Sequence, residues 1–320
     1  MLKERHVNTL YRGDVFRDWL VDLLGNRIHN KSCCVAVHKI APASHTVCRY
    51  EFEGEECSVV AKFYAEPTGW KKNYDPVQSM NREYGNLLEV AKIIDIPRPL
   101  AKRKRFNCVI VTEYVHGRPL YKYMESENGL YDRLTSIAHL LRRLHNSTRS
   151  DYHKQEEFAK FHQTLDQIGL DRSTRKTFDN LLGDWWYSTL VDHPYGCMIH
   201  HDANPVNYVF NSSRVYALDF ESARLHANPI HDLGVMAAEL KHYFALHKND
   251  SNRAEPYIGH FLWHYSRDLS EFKRITKTLP FFMSLGLLRM KRLQIDPDQG
   301  AFVIREAFAC LKSPELNKTP

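Results

Sequence analysis

From Cys33 to about Glu113, β-branched and aromatic residues alternate with polar ones, and Gly or Pro punctuates the runs, a pattern that predicts strands. HTVCRYEFE and CSVVAKFY flank a G-E-E turn and read as a hairpin. In NREYGNLLEVAKII, residues Tyr84, Leu87, Leu88, Ala91 and Ile94 recur at helical spacing, and a second hairpin follows P-R-P and ends in CVIVTEYV. After Gly117 the period becomes helical. Leu130, Leu134, Ile137, Leu141 and Leu144 share one face, as do Phe178, Leu181, Leu182 and Trp185, and then Ile258, Phe261, Leu262, Tyr265 and Leu269. One β-rich island interrupts the helices, CMIHHDANPVNYVFNSSRVYALDF, and it is dense in His, Asp and Asn. The pattern predicts an α+β chain in two parts. Residues 1–115 form a small antiparallel sheet crossed by one helix, with an N-terminal helical extension, and residues 116–320 form a larger, mainly helical part.

Charge changes this picture little. The 320 residues carry 44 Lys and Arg against 38 Asp and Glu, a net +6. That excess is too small for a dedicated nucleic-acid binder, and the basic cluster Ala101–Arg105 falls where a solvated hairpin turn is expected. No apolar run approaches the ~20 residues of a membrane-spanning helix, and the charged start MLKERHVNTLYR has no apolar segment behind it. The expectation is a cytoplasmic protein with no stable membrane insertion and no nucleic-acid partner. Seven cysteines without a C-x-x-C argue against a disulfide framework. His193, Cys197, His200 and His201 lie close enough in sequence to raise a metal site, but such residues in a short apolar strand are more commonly buried and polar-satisfied.

The chemistry concentrates in the island. Asp202 and Asn207 are placed on one loop, and Asp219 ends a strand predicted to return beside it. Mg²⁺ takes one or two protein carboxylates or amides and completes its shell with water and phosphate oxygens, so Asn207 and Asp219 make a plausible pair and Asp202 is left as a base. In VVAKFY, Lys62 occupies a half-buried strand and requires a counter-charge, which Glu83 on the following helix supplies.

In the order and spacing of these motifs the chain resembles the aminoglycoside phosphotransferase and choline kinase family, small-molecule kinases with a two-lobed protein-kinase-like fold. The likeness covers roughly residues 30 to 245. It implies that Lys62 holds the α- and β-phosphates of ATP and that Glu83 orients it. Asp202 would accept the proton of the substrate hydroxyl, and Asn207 and Asp219 would bind Mg²⁺. Thr112–Val115 would be the hinge, offering the backbone of Glu113 and Val115 to adenine. Asp232, in His231-Asp232-Leu233-Gly234, would brace the catalytic loop, and Leu144-His145 is a further shared feature. There are departures from the family. Ala41-Pro42-Ala43-Ser44-His45 stands where protein kinases have a Gly-rich loop, leaving phosphate contacts to backbone amides and Ser44. His201 stands where the family often has Gly. Phe220-Glu221 follows Asp219, and Glu221 reads as a solvated or ion-paired carboxylate before it reads as part of the metal shell.

The resemblance implies transfer of the γ-phosphoryl group to a hydroxyl of a small molecule: a sugar, an amino-alcohol or a glycolipid head group. A kinase-like scaffold that binds nucleotide without turnover is the alternative, although such scaffolds usually lose the lysine, the base or a metal ligand, and all are present. A protein kinase fits less well, because the short interval from Asp219 to Asp232 leaves no room for a peptide platform. From Arg267 to Arg292, seven basic residues stand against two acidic ones, which leans the acceptor away from polycations if that stretch borders the pocket. Tyr257, Phe261, Trp263 and Tyr265 could stack on a sugar, but three of them lie on the apolar stripe and are expected in the core.

Overall fold

The computed structural model describes residues 3–65, 74–212, 214–292 and 297–312. They fall into two compact units. The first comprises Met1–Arg118 with Tyr216–Glu221, and the second comprises Pro119–Val215 with Ser222–Pro320.

The first unit is built on a six-stranded antiparallel sheet in the order β1-β2-β3-β4-β6-β5. Its strands are β1 (Lys3–Leu10), β2 (Val35–Ala41), β3 (Thr46–Phe52), β4 (Ser58–Phe63), β5 (Pro99–Arg103) and β6 (Val109–Glu113), with helices α1 (Val15–Leu24) and α2 (Pro76–Val90). The expected N-terminal helical extension is thus a helix preceded by an edge strand, because β1 pairs with β2 along its length. The basic cluster lies on β5 and the turn after it.

The alternation along β4 decides which side chains become chemistry. Val59 and Ala61 are buried in a core with Leu20, Val21 and Leu24 of α1 and Val35, Val37, Tyr50 and Phe52 of the sheet. Successive strand residues face opposite ways, so Lys62 projects from the other face. There it meets α2, which starts at Pro76 rather than Asn81 because the Asp75 carboxylate caps the amides of Val77 and Gln78. Met80, Glu83, Leu87 and Val90 form its buried stripe, so Glu83 occupies a position otherwise reserved for apolar side chains.

The second unit runs from the short β7 (Arg118–Pro119) through α3 (Leu120–Ser126), α4 (Leu130–Ser147), α5 (Lys154–Gln167) and α6 (Arg172–Tyr187) to β8 (Cys197–Ile199) and β9 (Tyr208–Asn211). Strand β10 (Arg214–Ala217) carries the chain back to the first unit. β11 (Arg224–Ala227), α7 (Ile230–Lys248), α8 (Glu255–Tyr265), α9 (Leu269–Lys291) and α10 (Pro297–Leu311) complete the second. The stripe predicted from Ile258 to Leu269 is two helices, since Asp268 caps a new one by accepting from the Glu271 amide. Tyr257, Phe261 and Tyr265 are buried, and Trp263 is exposed. Among the described residues no helix is long and apolar enough to cross a membrane.

Candidate active site

In the first unit, Lys62 Nζ donates to Glu83 Oε2 at 2.9 Å, Asp219 Oδ1 at 2.8 Å and Glu221 Oε2 at 3.1 Å. The segment carrying Asp219 is pinned on both sides: the Ala217 amide donates to Asp95 O (3.1 Å) and Asn86 Nδ2 of α2 to Phe220 O (3.0 Å). Asp219 sits at φ 62°, a left-handed conformation that costs a non-glycine residue roughly 1–2 kcal/mol and that these contacts maintain.

Burial works against the Lys62 ammonium, but Asp219, Glu83 and Glu221 outweigh it and hold its pKa well above the usual lysine value. Burial pushes the Glu83 carboxyl up, and the nearby Asp219 charge adds to this against the pull of Lys62. The Tyr64 hydroxyl also donates to Glu83. Glu221 is buried too, yet its contacts with His45 and Lys62 bring it below the usual carboxylate range. His45 Nε2 lies 3.0 Å from Glu221 Oε2, so the turn between β2 and β3 reaches the lysine cluster through an imidazole. Ser44, one residue earlier, is exposed. Glu83, Asp219 and Glu221 each bring a carboxylate oxygen within 4.8 Å of the others, a hard-oxygen donor set of the kind Mg²⁺ takes.

At the end of β6, the Glu113 amide donates to Arg98 O (2.9 Å), and the Glu113 carboxylate accepts from Arg27. The Tyr114 amide donates to Ser58 O (3.1 Å), while the Val115 amide has no protein acceptor among the described residues.

In the second unit, β8 pairs with β11 and delivers the chain to His200 and His201. Asp232, in the first turn of α7, accepts from the His200 amide (2.7 Å) and the His201 amide (2.8 Å), and its Oδ2 lies 3.1 Å from His145 Nε2. A buried carboxylate thereby fixes the backbone just before Asp202. His201 has φ 66°, which explains why glycine suits this position; its imidazole packs on His231, with ring centroids 4.9 Å apart.

Asp202 is then held from three sides. Asn207 Nδ2 donates to its backbone carbonyl (2.9 Å) and to Oδ2 (3.2 Å), and Asn204 Nδ2 donates to Oδ2 (3.1 Å). Arg289 Nη2 donates to Oδ1 (3.0 Å). Asn207 closes a single turn, Pro205–Asn207, capped by Asn204. Its amide nitrogen faces Asp202, which leaves its carbonyl oxygen without a protein donor among the described residues. Elsewhere in the island, His193 Nδ1 lies 2.6 Å from Tyr195 O, and the Cys197 thiol is buried against Ala227 O.

The structure therefore brings Lys62, Glu83 and Asp219 together in one unit and Asp202 with Asn207 in the other. Sequence reasoning missed His45, Tyr64 and Arg289. His45 directly follows Ser44, and Tyr64 ends the VVAKFY stretch that carries Lys62, while Arg289 belonged to a basic stretch with no motif of its own.

No curated protein matches the sequence. Among solved structures, choline kinase from Cryptosporidium parvum Iowa II superposes with a TM-score of 0.63 at 12% identity, covering 92% of this chain and 95% of its own. A choline/ethanolamine kinase family protein from Mesorhizobium loti gives 0.60 at 15% identity, with 95% and 96% covered. Amicoumacin kinase hAmiN, in complex with AMP-PNP, Ca²⁺ and Ami, gives 0.58 at 16% identity, with 89% of each chain covered. These likenesses establish the two-part α+β kinase-like fold. The sequence profile of the phosphotransferase enzyme family matches residues 40–267, a span that takes in Lys62, Glu83, Asp202, Asn207, Asp219 and Asp232, and the chain belongs to that family.

Proposed function

We propose that this phosphotransferase moves the γ-phosphoryl group of ATP to a hydroxyl of a small molecule, with Asp202 as general base. The observation that carries this reading is the setting of Asp202: the backbone just before it is fixed by Asp232, its carboxylate is aimed by Asn204, Asn207 and Arg289, and its side chain is still 33% exposed. A carboxylate serving only as a structural tie has no need of solvent access.

In this reading Lys62 holds the α- and β-phosphates, and Glu83 and Tyr64 keep the ammonium in place. The hinge contributes the Glu113 carbonyl and the Val115 amide to the adenine edge, and Ser44 lies in the turn assigned to the phosphates. Asp219 and the amide oxygen of Asn207 would hold Mg²⁺, with Glu221 a further carboxylate beside Asp219. An ion held there would neutralise charge on the nucleotide's phosphates. The acceptor oxygen forms a bond to the γ-phosphorus, the bond from that phosphorus to the β,γ-bridging oxygen breaks, and ADP leaves with the electron pair. The hydroxyl proton passes to the Asp202 carboxylate. The residues 1–115 serve as the nucleotide-binding part and 116–320 carry the base and the acceptor helices. The AMP-PNP and Ca²⁺ in the amicoumacin kinase support a nucleotide with a divalent cation here.

The test is ADP release across a panel of hydroxyl compounds with Mg²⁺ and ATP. Release above the hydrolysis background, cut roughly 10²-fold or more in Asp202→Asn, supports the reading. The rival, a nucleotide-binding scaffold, gives nucleotide affinity and no acceptor-dependent release.

A further inference from the structure

The basic stretch from Arg267 to Arg292 divides in the structure. Arg267 and Arg274 gather on Glu271 together with Arg142 of α4, and Lys273 is exposed. Arg289, near the end of α9, turns instead to the catalytic loop. Close packing of α7 on α9 puts it there: a Cβ on Gly234 would lie 2.4 Å from Phe282 Cβ, and one on Gly286 would lie 2.9 Å from Ala238 Cβ. Just past Gly286, the Arg289 guanidinium donates Nη1 to the His201 carbonyl and Nη2 to Asp202 Oδ1, with its side chain only 16% exposed.

A guanidinium has five N–H donors in a planar fork. Two are committed to the loop, and the others meet no acceptor among the described residues. The surroundings are cationic. Burial first, then the charges of Arg289, His231, Arg224 and Lys160, keep His201 well below the usual histidine pKa and hence neutral. Arg292, one turn on, is exposed and donates to Gln167 Oε1 (2.8 Å). Glu239 of α7 is the opposing acid near this group, and burial with the Asp202 charge lifts its carboxyl to about 7, so it is partly protonated at neutral pH. The negative charge of Asp202 is thus already matched, and unused donors of Arg289 remain beside it.

We propose that Arg289 is the acceptor-binding cation of this site, and that the acceptor carries an oxyanion, a carboxylate or a phosphate, near the hydroxyl that is phosphorylated. The oxyanion takes the unused edge of the guanidinium while the hydroxyl faces Asp202. This rests on the reading of Asp202 as the base and adds the charge class of the substrate. Arg289 lies outside the residues matched by the family profile, 40–267. An acceptor with several ammonium groups would meet the guanidinium as a like charge in a partly desolvated site, where repulsion is screened less than in water.

The experiment uses hydroxyl compounds that share a carbon skeleton and differ in one terminal group and its charge, for the six-carbon polyol glucamine, sorbitol, gluconate and sorbitol 6-phosphate, with analogous sets built on glycosides. The expected result is a higher kcat/KM for one of the two anionic forms, and which one separates carboxylate from phosphate. Arg289→Gln should raise KM for that form about tenfold or more, change kcat less, and level the preference among charges. Arg289→Lys should keep the preference with weaker binding, because the charge stays and the fork is lost. Lys273→Glu should leave acceptor kinetics alone. Mg²⁺·ATP affinity, measured on each variant, separates misfolding from a loss of acceptor binding. A best acceptor that is neutral or cationic overturns the proposal, as does an Arg289→Gln variant that lowers kcat equally for every charge form. Turnover of no acceptor in any set overturns the phosphotransfer reading and this inference with it.

Discussion

Lys62 Nζ lies 2.8 Å from Asp219 Oδ1, although 157 positions separate the two residues in the chain. The same ammonium reaches Glu83 and Glu221, so a half-buried lysine balances carboxylates from α2 and from the segment after β10. Lys62→Met leaves those carboxylates within 4.8 Å of one another without their cation. Breaking a buried pair by removing one partner costs about 3–5 kcal/mol, so the variant should show a lowered denaturation midpoint and a large loss of ATP affinity. Denaturant unfolding and calorimetric ATP titration read the two effects separately, and unchanged values in both would remove Lys62 from the site.

Asp202→Asn should lower turnover by roughly 10²-fold or more with ATP affinity nearly unchanged, because a positioned general base typically supplies ~10²–10⁴. Asparagine keeps an oxygen for Arg289 and loses the ability to take a proton. Single-turnover kinetics at saturating substrate check this, and a rate near wild type would assign the proton elsewhere.

Asp219→Ala should abolish Mg²⁺-dependent nucleotide binding, since it deletes the carboxylate assigned to the metal and unbalances Lys62. Glu221→Gln should weaken binding less. Titration of Mg²⁺·ATP against both variants distinguishes them; unchanged metal dependence in Asp219→Ala would move the site.

Much of this was legible in the sequence because its signals are local. Lys62 shows in the alternation of β4, Glu83 in the counter-charge that lysine requires from the following helix, and Asp202 with Asn207 in a loop closed by its own side chains; the helical period pointed instead to a face with Tyr84 and Leu88, whereas Met80, Glu83, Leu87 and Val90 are the buried ones. What escaped depends on contacts between distant segments. Arg289 gains its meaning from the glycine-mediated approach of α7 and α9, and Gly234 and Gly286 carry no period that announces it. His45 meets Glu221 only once β2 and β3 have paired. The strand Lys3–Leu10 was invisible because both its faces are largely polar, the composition of an edge strand, and pairing with β2 rather than pattern makes it a strand.

Asp232 sets a pH dependence. Burial alone would raise its pKa, but the hydrogen bond from His145 and the charges of His145, His200 and His231 outweigh it and lower the value below the usual 3.8. The unfolded chain therefore binds this proton more readily than the folded one. Its stabilising contribution is fully present above about pH 4 and is lost as pH falls through the lower folded-state value. Urea midpoints between pH 2.5 and 6 should fall steeply in wild type at the acid end and less so in Asp232→Asn, which should also be weaker by about 3–5 kcal/mol at neutral pH. Parallel profiles would mean that Asp232 is not the carboxylate responsible.

The most direct measurement follows the phosphoryl group itself by phosphorus NMR, with Mg²⁺, ATP and the best acceptor of the charge-matched sets. Phosphotransfer with Asp202 as the base gives a new phosphate-ester resonance growing in step with ADP in wild type, and one growing roughly 10²-fold or more slowly in an Asp202→Asn variant that still binds ATP. ADP and inorganic phosphate alone with every acceptor, or an ester formed by Asp202→Asn at the wild-type rate, would contradict it.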